Sequence, residues 1–104
     1  MAKSKVLIVE DDEPLADVLQ YNFEQEGFEV SRAADGMEAL RKAQSASHDI
    51  IILDLMLPQL DGIEVCRQLR ASAKTRDVLV IIVFLSKTVI QVQFTKTIAF
   101  WRLS

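Results

Sequence analysis

The chain has 104 residues, half of them apolar and 26% charged, with a formal net charge of -3 and a pI near 5.1. This length and composition predict one folded domain with a single core. A nucleic-acid surface needs clustered Lys and Arg, so we expect no direct nucleic-acid binding by this chain. A single cysteine, no secretory signal and a longest apolar run of eight residues exclude an internal disulfide and a membrane span, so we expect a cytoplasmic protein.

The net charge of the sequence changes from negative to positive near Asp77. Residues 1–76 carry nine Lys or Arg against fourteen Asp or Glu, whereas residues 77–104 carry three against one. Every glycine and proline lies before residue 63, so the last quarter is apolar and free of turn-forming residues. We expect one domain over 1–104, with an atypical segment at 78–104.

Four apolar runs predict β-strands. The first run, Val6–Val9, and the third, Ile50–Leu53, are continuously apolar, which is typical of strands buried on both faces. The second, Phe28–Arg32, alternates between apolar and polar residues, and the fourth is Val78–Leu85.

Three helices are predicted between these strands. The first is capped by Asp12 or Glu13, has Pro14 in its first turn and ends at Gly27. The second follows Asp35-Gly36 and the third follows the loop from Pro58 to Gly62. Their predicted apolar faces are Met37, Leu40 and Ala43 in the second helix, and Ile63, Cys66 and Leu69 in the third. The order βαβαβαβ predicts an α/β fold with an open, doubly wound parallel sheet.

Carboxylates follow the first and third strands, as Glu10-Asp11-Asp12 and Asp54. In the strand order 2-1-3-4-5 these strands are neighbours, and functional groups gather at such carboxyl ends. Grouped carboxylates repel one another unless a proton or a cation intervenes, and Mg²⁺ prefers oxygen ligands. An ionised aspartate can attack phosphorus without a general base, so the pattern favours metal-assisted phosphoryl transfer to a carboxylate.

Three motifs resemble the receiver domains of two-component response regulators over about residues 5–77. They are Val9-Glu10-Asp11-Asp12-Glu13, Ile52-Leu53-Asp54-Leu55-Met56-Leu57-Pro58 and Asp61-Gly62. The resemblance implies the flavodoxin-like sheet order 2-1-3-4-5. It also implies a sensor histidine kinase as the phosphoryl donor. The expected role is a phosphoacceptor rather than a separate enzyme, with at most self-catalysed phosphoryl transfer and dephosphorylation.

The same resemblance implies a role for each site residue. Asp54 is the phosphoacceptor and also contacts Mg²⁺, Asp11 is a direct metal ligand, and Glu10 is a ligand through water. The backbone carbonyl of Met56 is a further ligand, and Asp12 is a helix cap. The Leu-Met-Leu-Pro run is most like regulators that carry a winged-helix DNA-binding domain, and no such output domain is expected within these residues.

The last quarter departs from the family pattern. An ungapped count from Asp54 places the family's hydroxyl residue on Phe84 and its lysine beyond Ser104. The segment Ser86–Val92 is too short for a crossover helix, so we expect helix 4, strand 5 and helix 5 to be missing or replaced, by truncation or a frameshift. Self-association, including dimerisation, is then expected through the edge of strand 4 and the C-terminal segment.

The sequence alone leaves other functions open. A phosphorylation-independent interaction module, or a non-functional fragment, is compatible with Phe84 and the missing lysine. A haloacid-dehalogenase-type phosphatase would need a second Asp at the position of Met56, and a flavodoxin-like cofactor binder would need a phosphate loop after strand 1. We expect His48 to be solvated and Cys66 to pack in the core.

Overall fold

The computed structural model describes residues 3–54 and 61–83, where strands and helices alternate. The elements are β1 (Lys5–Val9), α1 (Glu13–Gln25), β2 (Glu29–Ala33), α2 (Gly36–Ser45), β3 (Ile50–Asp54), α3 (Gly62–Ala71) and β4 (Leu79–Val83). This confirms the predicted order, with strand bounds that differ by one residue for the first three strands. The predicted fourth strand began at Val78, and its residues from 84 onward lie outside the described ranges.

The four described strands form one parallel sheet in the order β2-β1-β3-β4. The predicted α/β class and the adjacency of strands 1 and 3 are confirmed, while the predicted fifth strand lies outside the described residues. In the β1–β3 pairing, Val9 is opposite Leu53. The two strands therefore end side by side.

Helices cover both faces of this sheet. On one face, α1 packs through Leu15, Leu19 and Phe23 against the strand side chains Val6, Ile8, Ile50 and Ile52. On the other face, α2 and α3 cover Leu7, Val9, Ile51 and Leu53. Burial on both faces explains why β1 and β3 are continuously apolar. Within the described ranges, no helix has the length and apolar character that a membrane span requires.

An aspartate caps each of the three described helices at its N-terminus. The Asp12, Asp35 and Asp61 side chains accept hydrogen bonds from the backbone N–H groups of Leu15, Glu38 and Glu64. The predicted capping role of Asp12 is confirmed. Gly27 follows α1 with a φ of 92°. Residues other than glycine adopt this left-handed conformation only at a cost in conformational free energy.

The predicted apolar faces of α2 and α3 were partly wrong. Met37 is 58% exposed and Ile63 is 60% exposed, whereas Leu40 packs partly against the core and Cys66 is half-buried. The buried faces consist of Gly36, Ala39 and Ala43 in α2, and Gly62, Val65 and Leu69 in α3. Ala43 and Leu69 were predicted correctly, whereas the other buried positions lie one residue before the predicted ones.

Candidate metal centre

The paired ends of β1 and β3 place the predicted carboxylates together. Glu10 follows Val9, and Asp54 is the last residue of β3, so both lie at the carboxyl edge of adjacent strands. Glu10 and Asp54 are buried, with 4% and 7% exposure, whereas Asp11 is exposed. One carboxylate oxygen from each of these three residues lies within 4.8 Å of the others. The structure thus gathers three of the four predicted metal ligands.

The fourth predicted ligand, the backbone carbonyl of Met56, lies outside the described residues. The Asp12 carboxylate belongs to the cap of α1 and not to this group of three.

Glu10 is held by its backbone and by one of its two carboxylate oxygens. Its N–H donates to the carbonyl of Ala33 at 3.0 Å, and its Oε2 accepts from the N–H of Asp12 at 2.9 Å. Its Oε1 is buried and has no hydrogen-bond partner. A buried carboxylate oxygen without a hydrogen-bond donor lowers the stability of the folded state. This arrangement therefore favours binding of a proton or a cation at Oε1.

Burial raises the pKa of Glu10 from 4.5 to about 7. The N–H of Asp12 opposes this shift by stabilising the carboxylate. The Asp11 and Asp54 carboxyls, which can hydrogen-bond with Glu10 once it is protonated, and the charge of Asp54 add to the shift. Near neutral pH without a cation, Glu10 is therefore protonated in a large fraction of molecules.

The donor set fits a hard divalent cation. All three candidate ligand atoms are carboxylate oxygens, the chemistry that Mg²⁺ prefers, and no soft sulfur or imidazole ligand joins the group in the described residues. The exposed position of Asp11 leaves access for water, several molecules of which Mg²⁺ usually retains. Glu10, Asp11 and Asp54 are the residues that could hold the ion.

The sequence-based expectation for His48 was wrong. This residue is half-buried rather than solvated, and its Nδ1 is buried with no hydrogen-bond partner. Burial lowers the pKa of the imidazole. The polar sequence of this loop gave no signal of the burial.

A parallel α/β sheet with carboxylates gathered at the ends of β1 and β3 is the arrangement expected of a receiver domain. The sequence matches the response regulator receiver domain family over residues 6–98. The chain belongs to this family and is a receiver domain of two-component phosphorelay signal transduction. The match extends beyond Asp77, where the sequence resemblance was expected to end.

Individual relatives agree with this assignment. The chain is 56% identical over 66 residues to the alkaline phosphatase synthesis transcriptional regulatory protein PhoP of Bacillus subtilis, a match that covers 64% of the chain and 28% of PhoP. The chain thus matches less than a third of the length of this curated relative.

Solved structures of receivers share the fold. The chemotaxis response regulator CheY4 of Vibrio cholerae is 30% identical, with a TM-score of 0.78; the match covers 92% of this chain and 80% of the CheY4 chain. The receiver domain of the sensor histidine kinase PA1611 of Pseudomonas aeruginosa is 26% identical, with a TM-score of 0.83; the match covers 99% of this chain and 100% of the PA1611 receiver chain. That structure has a magnesium ion coordinated in its active-site cleft.

Proposed function

We propose that Asp54 accepts a phosphoryl group from a sensor histidine kinase, with Glu10, Asp11 and Asp54 holding Mg²⁺. The observation that carries this proposal is the convergence of three carboxylate oxygens within 4.8 Å at the edge of β1 and β3. The buried Oε1 of Glu10, which has no donor, supports a cation at the same place. The carbonyl of Met56 is proposed as a further ligand.

In the proposed reaction, a carboxylate oxygen of Asp54 attacks the phosphorus atom of a phosphohistidine. A new O–P bond forms as the N–P bond breaks, and the departing imidazole takes up a proton. When bound, Mg²⁺ would offset the repulsion between the carboxylate and the phosphoryl oxygens. Asp54 sits at the end of a buried strand, which restricts its orientation and so favours attack from a defined direction.

We further propose that this phosphorylation controls a transcriptional output, because the relative PhoP is named as a transcriptional regulatory protein. The proposed role is that of a phosphoacceptor whose own residues assist transfer and hydrolysis. A cytoplasmic location and the absence of direct nucleic-acid binding remain predictions from the sequence.

The experiment is incubation of the full chain with Mg²⁺ and a small acyl phosphate, followed by intact mass measurement. We expect one phosphoryl adduct that requires Mg²⁺ and is absent from Asp54→Asn. The matched control is Asp35→Asn, which removes the same charge at a helix cap where Asn also functions, and it should be phosphorylated normally.

An adduct that persists on Asp54→Asn would contradict the assignment of the acceptor. If the unmodified folded chain forms no adduct with Mg²⁺ present, the phosphorylation-independent interaction module becomes the better function.

A further inference from the structure

The last residue of β2 connects the α2 helix to the candidate metal centre. The carbonyl of Ala33, which is buried, accepts the hydrogen bond from the N–H of Glu10 at 3.0 Å. Strand β2 is the outer strand of the described sheet, next to β1. Neighbouring residues of a strand direct their carbonyls to opposite sides, so the carbonyl of Arg32 faces away from β1, at the edge of the sheet.

Two side chains of α2 bind the backbone on either side of Ala33. The ammonium of Lys42 donates a hydrogen bond to the carbonyl of Arg32. The Oε1 of Glu38 accepts a hydrogen bond from the N–H of Ala34 at 2.7 Å. Glu38 and Lys42 are one helical turn apart, and the Glu38 Oε2 lies 3.7 Å from the Lys42 ammonium. The end of β2 is therefore bonded to α2 both before and after its contact with the metal centre.

The neighbouring Arg41 has the same charge but no such role. Its guanidinium lies 3.5 Å from the Glu38 carboxylate, and its side chain is 67% exposed, against 35% for Lys42. In the described part of the chain, Arg41 forms no hydrogen bond with the backbone of β2. Hydrogen bonds that involve a charged group are about twice as strong as neutral ones, so the contacts of Lys42 and Glu38 with β2 are the ones that restrain the strand.

Glu10 depends on this restraint because few contacts hold it. It follows β1 directly, and its carboxylate is oriented by the N–H of Asp12, which donates to Oε2 at 2.9 Å. Its Oε1 is buried and has no partner. A small shift of the Glu10 backbone would move a carboxylate whose oxygen lies within 4.8 Å of oxygens of Asp11 and Asp54. Interactions that orient a metal ligand commonly raise the affinity of the site for the ion.

We propose that Glu38 and Lys42 are positioning residues for the metal centre. They fix the end of β2, and the end of β2 holds the backbone of Glu10, so its carboxylate is presented to the cation in a defined place. Neither side chain belongs to the group of three carboxylates that would hold the ion. This inference rests on the proposed Mg²⁺ site and adds two residues of α2 that act on it through the backbone.

The first test is amide hydrogen exchange of the full chain without metal, measured by NMR. Lys42→Met removes the ammonium and keeps the length of the side chain. We expect the N–H of Glu10 to exchange about three- to tenfold faster, and more so than the N–H of Ile51, which reports the opening of the central strand β3. Lys42→Arg keeps a cationic donor and should restore the protection. The matched control, Arg41→Met, should leave the exchange of Glu10 unchanged.

Glu38 is tested in the same way. Glu38→Ala removes the acceptor for the N–H of Ala34 and should speed the exchange of the Glu10 N–H. Glu38→Gln retains a side-chain oxygen that can accept this hydrogen bond, so it should restore much of the protection. These two variants also replace the comparison at Lys42 should Lys42→Met fail to fold.

The second test is the affinity for Mg²⁺, measured by titration of the chain and followed at the amide of Asp11. Loss of a positive charge alone would strengthen the binding of a cation. We expect Lys42→Met to weaken it instead, by about three- to tenfold, which is less than the tenfold to hundredfold typical of groups bonded directly to a metal ligand. Arg41→Met should leave the affinity unchanged or slightly higher.

Equal exchange of the Glu10 N–H in Lys42→Met and Arg41→Met would overturn the proposal. Unchanged or tighter Mg²⁺ binding by Lys42→Met would also overturn it, because the restraint would then not reach the carboxylate. These results differ from a failure of the proposed function, in which the unmodified chain itself would bind no Mg²⁺ and the metal site would be rejected together with its positioning residues.

Discussion

Glu10 makes the stability of the metal-free protein depend on pH. Its pKa is raised from 4.5 to about 7, mainly by burial, so the folded state binds more protons than the unfolded state between these values. The free energy of unfolding should therefore fall as the pH rises from 4.5 to about 7, and this contribution should level off above that range. Allowing for screening at the sheet edge, we expect a loss of about 1–2 kcal/mol, measured by urea unfolding in the presence of a chelator.

Glu10→Gln is the control for this effect. The amide cannot ionise, so the decrease in stability over this pH range should largely disappear in the variant. Saturating Mg²⁺ should also reduce the decrease in the unmodified chain, since a bound cation stabilises the carboxylate form. An equal decrease in Glu10→Gln would show that another group is responsible.

At the level of single elements, the cap of α2 can be tested without touching the metal centre. The Asp35 side chain accepts from the N–H of Glu38 at 2.8 Å, and Glu38 Oε1 accepts from the N–H of Ala34, the residue before the cap, at 2.7 Å. Asp35→Ala should lower the free energy of unfolding by about 1 kcal/mol, measured by urea unfolding. Asp35→Asn should retain most of the stability, and a loss as large as that of Asp35→Ala would argue against the cap.

The strands were predictable from the sequence because their signal is local. The runs at Val6–Val9 and Ile50–Leu53 are apolar without interruption, and their short length and β-branched residues favour strands covered on both sides. Glu10 and Asp54 follow directly, so the position of the acidic site could be predicted as soon as the strands were taken to be parallel neighbours.

The faces of α2 and α3 were not predictable in the same way. Large apolar residues such as Met37 and Ile63 suggested one face, while the sheet selected the neighbouring face, with Ala39 and Val65. The choice depends on how closely each helix approaches the sheet, which is a property of tertiary packing.

On the scale of the whole molecule, β4 is the element that exposes apolar surface at the edge of the described sheet. Leu79 is 43% exposed and Ile82 is 38% exposed. An exposed apolar edge strand favours pairing with a second copy. We expect concentration-dependent self-association of the chain in sedimentation velocity, and Ile82→Lys should shift the population toward the monomer.

The matched control for this prediction is Ile63→Lys, because Ile63 is also exposed but lies on α3, away from any strand edge. It should leave the association unchanged. A monodisperse monomer of the unmodified chain at high concentration would contradict the prediction.

The register of β1 and β3, in which Val9 is opposite Leu53, limits where insertions and deletions can occur in this chain. Strand β3 carries the candidate acceptor at one end, and Ile51, nearer its other end, lies in the core beneath α2 and α3. A slip of one residue against β1 would turn every β3 side chain to the opposite face and displace both features at once. Natural length variation should therefore be confined to the connections between elements, and insertions or deletions inside β1 or β3 should be absent from functional homologues.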